Sequence, residues 1–172
     1  MKTKIRFLKE IYLKFHIKPL WFSLLVFVLL VRLAPVILLV FYGLIYGFTD
    51  EQPLSYDYSD SIFVDIIFGG IIAPIIETLL CQTFLIWLFH KVCKFNYFTT
   101  VFLSGFLFGL LHAIHSVPYA LCAGMAGFIF AFGYVFYTKK YNYVWAFWLI
   151  AGIHSFNNIS VLIIHWIPLF LL

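Results

Sequence analysis

The chain has 172 residues, 65% of them hydrophobic and only 10% charged, with Phe at 22 positions and a formal net charge of +4. Soluble domains run nearer half apolar and a quarter charged, so a soluble globular fold, a disordered chain and a collagen-like chain are all excluded. The composition implies an all-α, polytopic helical membrane protein.

Residues 1–18 carry Lys2, Lys4, Arg6, Lys9, Lys14 and Lys18 against one acid, Glu10, and read as a basic cytoplasmic N-terminal segment. Ile5, Leu8, Tyr12 and Phe15 would share one side if Lys4–Lys18 lay as a helix on the inner leaflet. Residues 19–172 are expected to form a single transmembrane domain. Its first apolar run, Leu20–Phe48, is too long for a signal-peptide core and has no small-residue cleavage site, so it is expected to be a retained span. The connection Thr49–Asp60 holds Asp50, Glu51, Asp57 and Asp60 and no base. A second span is expected over Ser61–Phe89, followed by Lys91 and Lys94. A short third runs over Phe98–His112, and a fourth over Val117–Tyr137, followed by Lys139 and Lys140. The fifth begins near Tyr143 and continues, broken or tilted, to Leu172.

About five spans of about 20 residues each therefore fit. In that arrangement every Lys and Arg except Arg32 falls on one side. The positive-inside rule makes that side the cytoplasm, for a multi-pass protein of the cell (cytoplasmic) membrane. Cys81, Cys93 and Cys122 are widely and irregularly spaced in or beside apolar segments, which suggests neither a disulfide framework nor a zinc knuckle. Gly105 and Gly109 on span three, and Ala123, Gly127 and Ala131 on span four, are small residues of the kind that let helices approach in lipid.

Ionisable side chains inside a bilayer are costly and are functional candidates by default. Those at membrane depth are Arg32, Asp65, Glu77, His112 and His154, with the amides Asn157 and Asn158. At the rise of an α-helix, Glu77 lies about 18 Å, His112 about 21 Å and His154 about 17 Å from the basic ends of their spans. Three titratable groups on three helices thus reach one level. Asp65 sits near the outer boundary, where an acid can snorkel, and Arg32 reads as an ion-pair or cavity residue.

Gly69, Gly70 and Pro74 precede Glu77, and a proline there predicts a kinked or broken helix. His154 and Asn158 are four apart and share a helix face, as do Phe108 and His112. A buried carboxylate beside an imidazole can take a proton from water. A second histidine and an amide can donate hydrogen bonds to a developing oxyanion. That constellation suits amide hydrolysis.

These segments resemble the CPBP intramembrane proteases (CAAX proteases and bacteriocin-processing enzymes, also called the ABI family). The family's first motif, two glutamates followed after three residues by arginine, corresponds to Glu77-Thr78-Leu79-Leu80-Cys81-Gln82. Its Phe-x-x-x-His motif corresponds to Phe108–His112, and its His-x-x-x-Asn motif to His154–Asn158. The resemblance covers a core at about residues 60–164. It implies a glutamate-dependent intramembrane endopeptidase in which Glu77 and His112 activate water while His154 and Asn158 hold the oxyanion. It also implies a peptide or membrane-protein substrate met in the lipid bilayer, and no nucleic acid. No cofactor is expected. Zinc is the alternative, since a carboxylate and two histidines can bind it, but there is no HExxH helix.

Two positions depart from the family pattern. Thr78 stands where the second glutamate would be, and Gln82 where the arginine would be. Four apart on one face, they are expected to support the site by hydrogen bonding. The departures also keep a second reading open: a catalytically inactive member of the same fold, acting in bacteriocin immunity or as a scaffold.

Overall fold

The computed structural model describes residues 18–47, 59 and 61–170, with side chains as far as Ile167. The expected basic segment before Lys18, and the acidic residues Asp50, Glu51, Asp57 and Asp60, lie outside the described residues. The described chain is built from helices: α1 (Leu20–Tyr46), α2 (Ile62–Val92), α3 (Tyr97–Leu111), α4 (Val117–Lys140) and α5 (Tyr143–Phe170). Four of them are long and apolar enough to cross a membrane, and α3 is a shorter apolar helix. The protein is an all-α, multi-pass membrane protein.

Local chemistry sets the helix ends. Asn96 Oδ1 accepts the Thr99 N–H and Ser116 Oγ accepts the Tyr119 N–H, which caps the starts of α3 and α4. Asn142 Oδ1 accepts from Val144 and Trp145 at the start of α5. Gly47, at φ +86°, closes α1 with its N–H on the Gly43 carbonyl.

Two expectations are modified. The fifth span is one unbroken helix from Tyr143 to Phe170, neither broken nor interrupted. The second span is broken, but into widened turns. Ile66–Ile72, Thr78–Phe84 and Leu88–Val92 are π-helical, separated by α-helical turns at Ala73–Glu77 and Leu85–Trp87. The Ala73 N–H reaches the Phe68 carbonyl and the Leu85 N–H the Leu80 carbonyl, five residues back. Pro74 has no N–H to offer and its ring displaces the carbonyl four residues earlier, so a wide turn just before it relieves that clash.

α4 is the central helix and packs against α1, α3, α5 and the middle of α2. Its small residues allow this. A Cβ on Gly133 would stand 2.7 Å from Ile150 Cδ1 of α5 and 3.1 Å from Phe27 Cε1 of α1. The core includes Phe27 and Val31 of α1, Ile86 of α2, Val101 of α3, Phe130, Ala131, Tyr134 and Tyr137 of α4, and Ala146 and Ile150 of α5. Tyr137 Oη donates to Ser23 Oγ (3.2 Å), which donates on to the Leu20 carbonyl, so a buried phenol is satisfied without water.

Basic side chains gather at one end of the bundle. Lys140 Nζ donates to the Lys18 carbonyl at the start of α1. Lys139 Nζ stands 3.9 Å from the ring centre of Tyr97 at the start of α3. Asp65 occupies the other end, and the expected snorkelling acid is a tether. Its side chain is buried, accepting the Ser59 N–H at 2.9 Å and the Trp166 Nε1–H at 3.1 Å. The tie joins the start of α2 to the end of α5.

Candidate active site

The α3–α4 seam fixes the first wall of the site. A Cβ on Gly105 would meet the Phe128 backbone at 2.7 Å, and one on Gly109 the Ala120 carbonyl oxygen at 2.7 Å and Gly124 Cα at 2.8 Å. Backbones this close hold the end of α3 rigidly against α4, and His112 lies one turn beyond Gly109. The His112 Nδ1 donates to the Phe108 carbonyl at 2.7 Å. A carbonyl can only accept, so in the neutral ring Nε2 carries the lone pair.

α2 and α5 supply the rest. Glu77 closes the α-helical turn after Pro74, and its Oε2 lies 3.5 Å from His154 Nε2. The His154 side chain is 4% exposed. It lies against Phe130 of α4, centroids 4.4 Å apart and planes 30° apart, while Phe108 meets it edge-on at 5.7 Å. Phe108 also lies 4.6 Å from the His112 ring. That single aromatic side chain therefore spaces the two imidazoles. Asn158 Nδ2 donates to the Gly69 carbonyl at 3.0 Å. Gly69 lies in the first π-helical stretch of α2.

Glu77, His112, His154 and Asn158 all line one cavity of about 350 Å³. The sequence-predicted set therefore meets in space. Glu77 and His154 are the pair in direct contact, and Asn158 already spends one amide proton on the helix beside it. Arg32 of α1 lines the same cavity. Its Nη2 donates to the Asn157 carbonyl at 2.9 Å, so it ties α1 to α5, while Glu77 takes His154 as its partner. Among the described residues no three His, Cys, Asp or Glu side chains form a metal-ligand group.

Thr78 and Gln82 are fully buried beside the site. The expected hydrogen bonding is not made: Thr78 Oγ1 and both amide atoms of Gln82 have no hydrogen-bond partner among the described residues. The nearby Ser104 Oγ donates instead to the Cys81 carbonyl, at 2.7 Å. Phe130 was invisible to sequence reasoning, because one phenylalanine among 22 carries no signal of its own. The Gly69 carbonyl was nearly visible, since Gly69-Gly70 and Pro74 marked the irregular backbone that aims it.

A family model, type II CAAX prenyl endopeptidase Rce1-like, matches residues 59–160. The chain belongs to this Rce1-like family. The family is one of proteases, and the matched segment contains each motif residue from Glu77 to Asn158. It agrees with the resemblance to CAAX proteases drawn from those motifs. The Rce1-like segment excludes α1, and with it Arg32 and the cavity wall formed by Val31, Pro35 and Leu39. No curated protein matches the chain, and no solved structure does.

Proposed function

We propose that this Rce1-like protein is an endopeptidase that hydrolyses a peptide bond within the membrane, with Glu77 as general base. The observation that carries the reading is the Glu77–His154 contact, made inside a cavity that also holds His112. Water between Glu77 and His112 gives one proton to the Glu77 carboxylate and directs its other proton to the His112 Nε2 lone pair. Its oxygen forms the new bond to the substrate carbonyl carbon. The carbonyl oxygen becomes an oxyanion, met by His154 Nε2–H and by the second Nδ2 proton of Asn158. The carbon–nitrogen bond then breaks, and the proton held on Glu77 passes to the leaving amine. The mechanism uses these side chains alone.

The positive-inside rule supports a cytoplasmic-membrane protein with Lys18, Lys91, Lys139 and Lys140 on the cytoplasmic side. A CAAX-type peptide, the substrate class in the family's description, is the first class to test. One observation favours a second reading, an inactive scaffold: the buried, unpartnered Thr78 and Gln82 at motif positions that are charged in the resemblance.

Profiling of newly formed N-termini in membranes distinguishes the two readings. Wild-type protein is expected to generate termini that fall by at least about 10²-fold in Glu77→Gln, a typical contribution of a general base. The variant should keep the wild-type melting temperature, because the substitution is isosteric. A folded Glu77→Gln protein that yields the same termini, or a wild type that yields none, refutes the endopeptidase and favours the scaffold.

A further inference from the structure

A second concavity lies further along α2 and shares no lining residue with the candidate catalytic cavity. Its walls come from four helices: the second half of α2 (Leu79 to Lys91), the start of α3 at Tyr97, the end of α4 (Tyr134 to Lys139) and the start of α5 at Tyr143. Its volume is about 660 Å³, within the ~300–1,000 Å³ typical of ligand sites. None of the proposed catalytic residues lines it.

The concavity has two chemically distinct ends. Leu79, Phe84, Ile86 and Trp87 make an apolar channel along α2. Leu79, Phe84 and Trp87 are each about half exposed. The far end carries His90, Lys91 and Lys139. His90 is fixed there: its Nδ1 donates to the Phe95 carbonyl at 2.9 Å and its ring stacks on Tyr97 at 3.9 Å. Lys139 Nζ lies 3.9 Å from the centre of that same Tyr97 ring. Tyr97 therefore gathers two basic side chains at one mouth, and Lys91 completes the cluster.

The dimensions match a membrane lipid. From Leu79 to Lys91 the channel runs at most about 18 Å along α2, and one leaflet of the ~30 Å hydrocarbon core is about 15 Å deep. An acyl chain entering from the basic end would fill the apolar channel as its headgroup reached the cations. Basic pockets between transmembrane helices take anionic headgroups for this reason.

We infer that this groove is a binding site for an anionic phospholipid of the leaflet at the basic end, its phosphate held by Lys91 and Lys139 and an acyl chain laid along α2 from Trp87 to Leu79. The site does not depend on the endopeptidase reading. A bound lipid would brace the π-helical half of α2 that follows Glu77, from outside the catalytic cavity.

Native mass spectrometry of the full chain tests this, with equal amounts of phosphatidylglycerol and phosphatidylcholine. Wild-type protein should retain phosphatidylglycerol preferentially. Lys91→Gln and Lys139→Gln should each reduce that preference about fivefold. Thr83 also lines the groove, and Thr83→Trp, which fills the channel while leaving the cations in place, should reduce retention of both lipids. Lys18→Gln with Lys94→Gln, at the same end but outside the groove, should leave the preference within about twofold. Equal retention of the two lipids by the wild type overturns the proposal. So does an equal loss in the Lys18/Lys94 control, which would signify surface charge alone. A Thr83→Trp protein that binds as the wild type does would also overturn it, and each variant's melting temperature reports whether it is folded.

Discussion

Gly109→Ala adds one methyl group to the α3–α4 seam and has an outcome that the structure fixes in sign. The new Cβ would stand 2.7 Å from the Ala120 carbonyl oxygen and 2.8 Å from Gly124 Cα. Carbon contacts are favourable near 3.5–4.0 Å, and both neighbours are backbone atoms that cannot rotate away. The end of α3 must therefore move outward by roughly 0.5–1 Å, at an overpacking cost of about 1–3 kcal/mol. His112 lies one turn further on and moves with it. A displacement of about 1 Å at a catalytic group can cost about 10²-fold in rate. Two companion variants isolate the cause. A Cβ on Gly124, across the same seam, would meet Gly109 Cα at an ordinary 3.5 Å, and one on Gly152 of α5 would meet nothing within 4 Å. Gly124→Ala should therefore be near neutral. Gly152→Ala should be neutral, or stabilising by up to about 1 kcal/mol through helix propensity. Thermal unfolding in detergent, read beside the terminus-profiling assay, measures all three. If Gly109→Ala and Gly124→Ala behave alike, the claim that this seam sets the position of His112 is wrong.

Two further outcomes follow from the side-chain contacts. Phe130→Leu removes the aromatic face beneath His154 while keeping most of the buried volume. It should cost about 1–2 kcal/mol in stability, through lost volume and lost ring contacts with His154 and Phe108, yet reduce turnover by about tenfold or more, a split visible by comparing melting temperature with cleavage. Asp65→Asn keeps the shape of the tether but leaves one acceptor oxygen for two N–H donors, so one of the bonds to Ser59 and Trp166 is lost. A loss of about 1–2 kcal/mol is expected, with proteolysis beginning near the start of α2, and an unchanged melting temperature would show that the tether contributes nothing.

The fold was legible because membrane burial writes itself into long apolar runs. The observed helices fall within a few residues of the runs read from sequence, and the basic residues described at the helix ends gather at one end of the bundle. The convergence of Glu77, His112 and His154 on one cavity was legible because they are anomalies against lipid, and a group costly in its surroundings draws attention wherever it sits. Three other features resisted reading. The π-helical turns of α2 leave no distinctive periodicity, and only Pro74 and the paired glycines hinted at irregular backbone. The Glu77–His154 pairing depended on how α2 and α5 rotate against each other, which spacing within one helix cannot give. The same limit explains Thr78 and Gln82: their spacing allowed a bond, but the surrounding packing left both without one.

The match to the family ends short of α1, yet α1 walls the cavity with Val31 and Pro35 and reaches across it through Arg32 to the Asn157 carbonyl. The site is therefore a composite, with its reactive groups drawn from one stretch of chain and part of its enclosure from another. Substitutions on α1 at Val31 or Pro35 would recut the shape of the chamber and leave the proposed catalytic residues untouched. α1 thus shapes what the chamber admits without supplying any of the proposed catalytic groups.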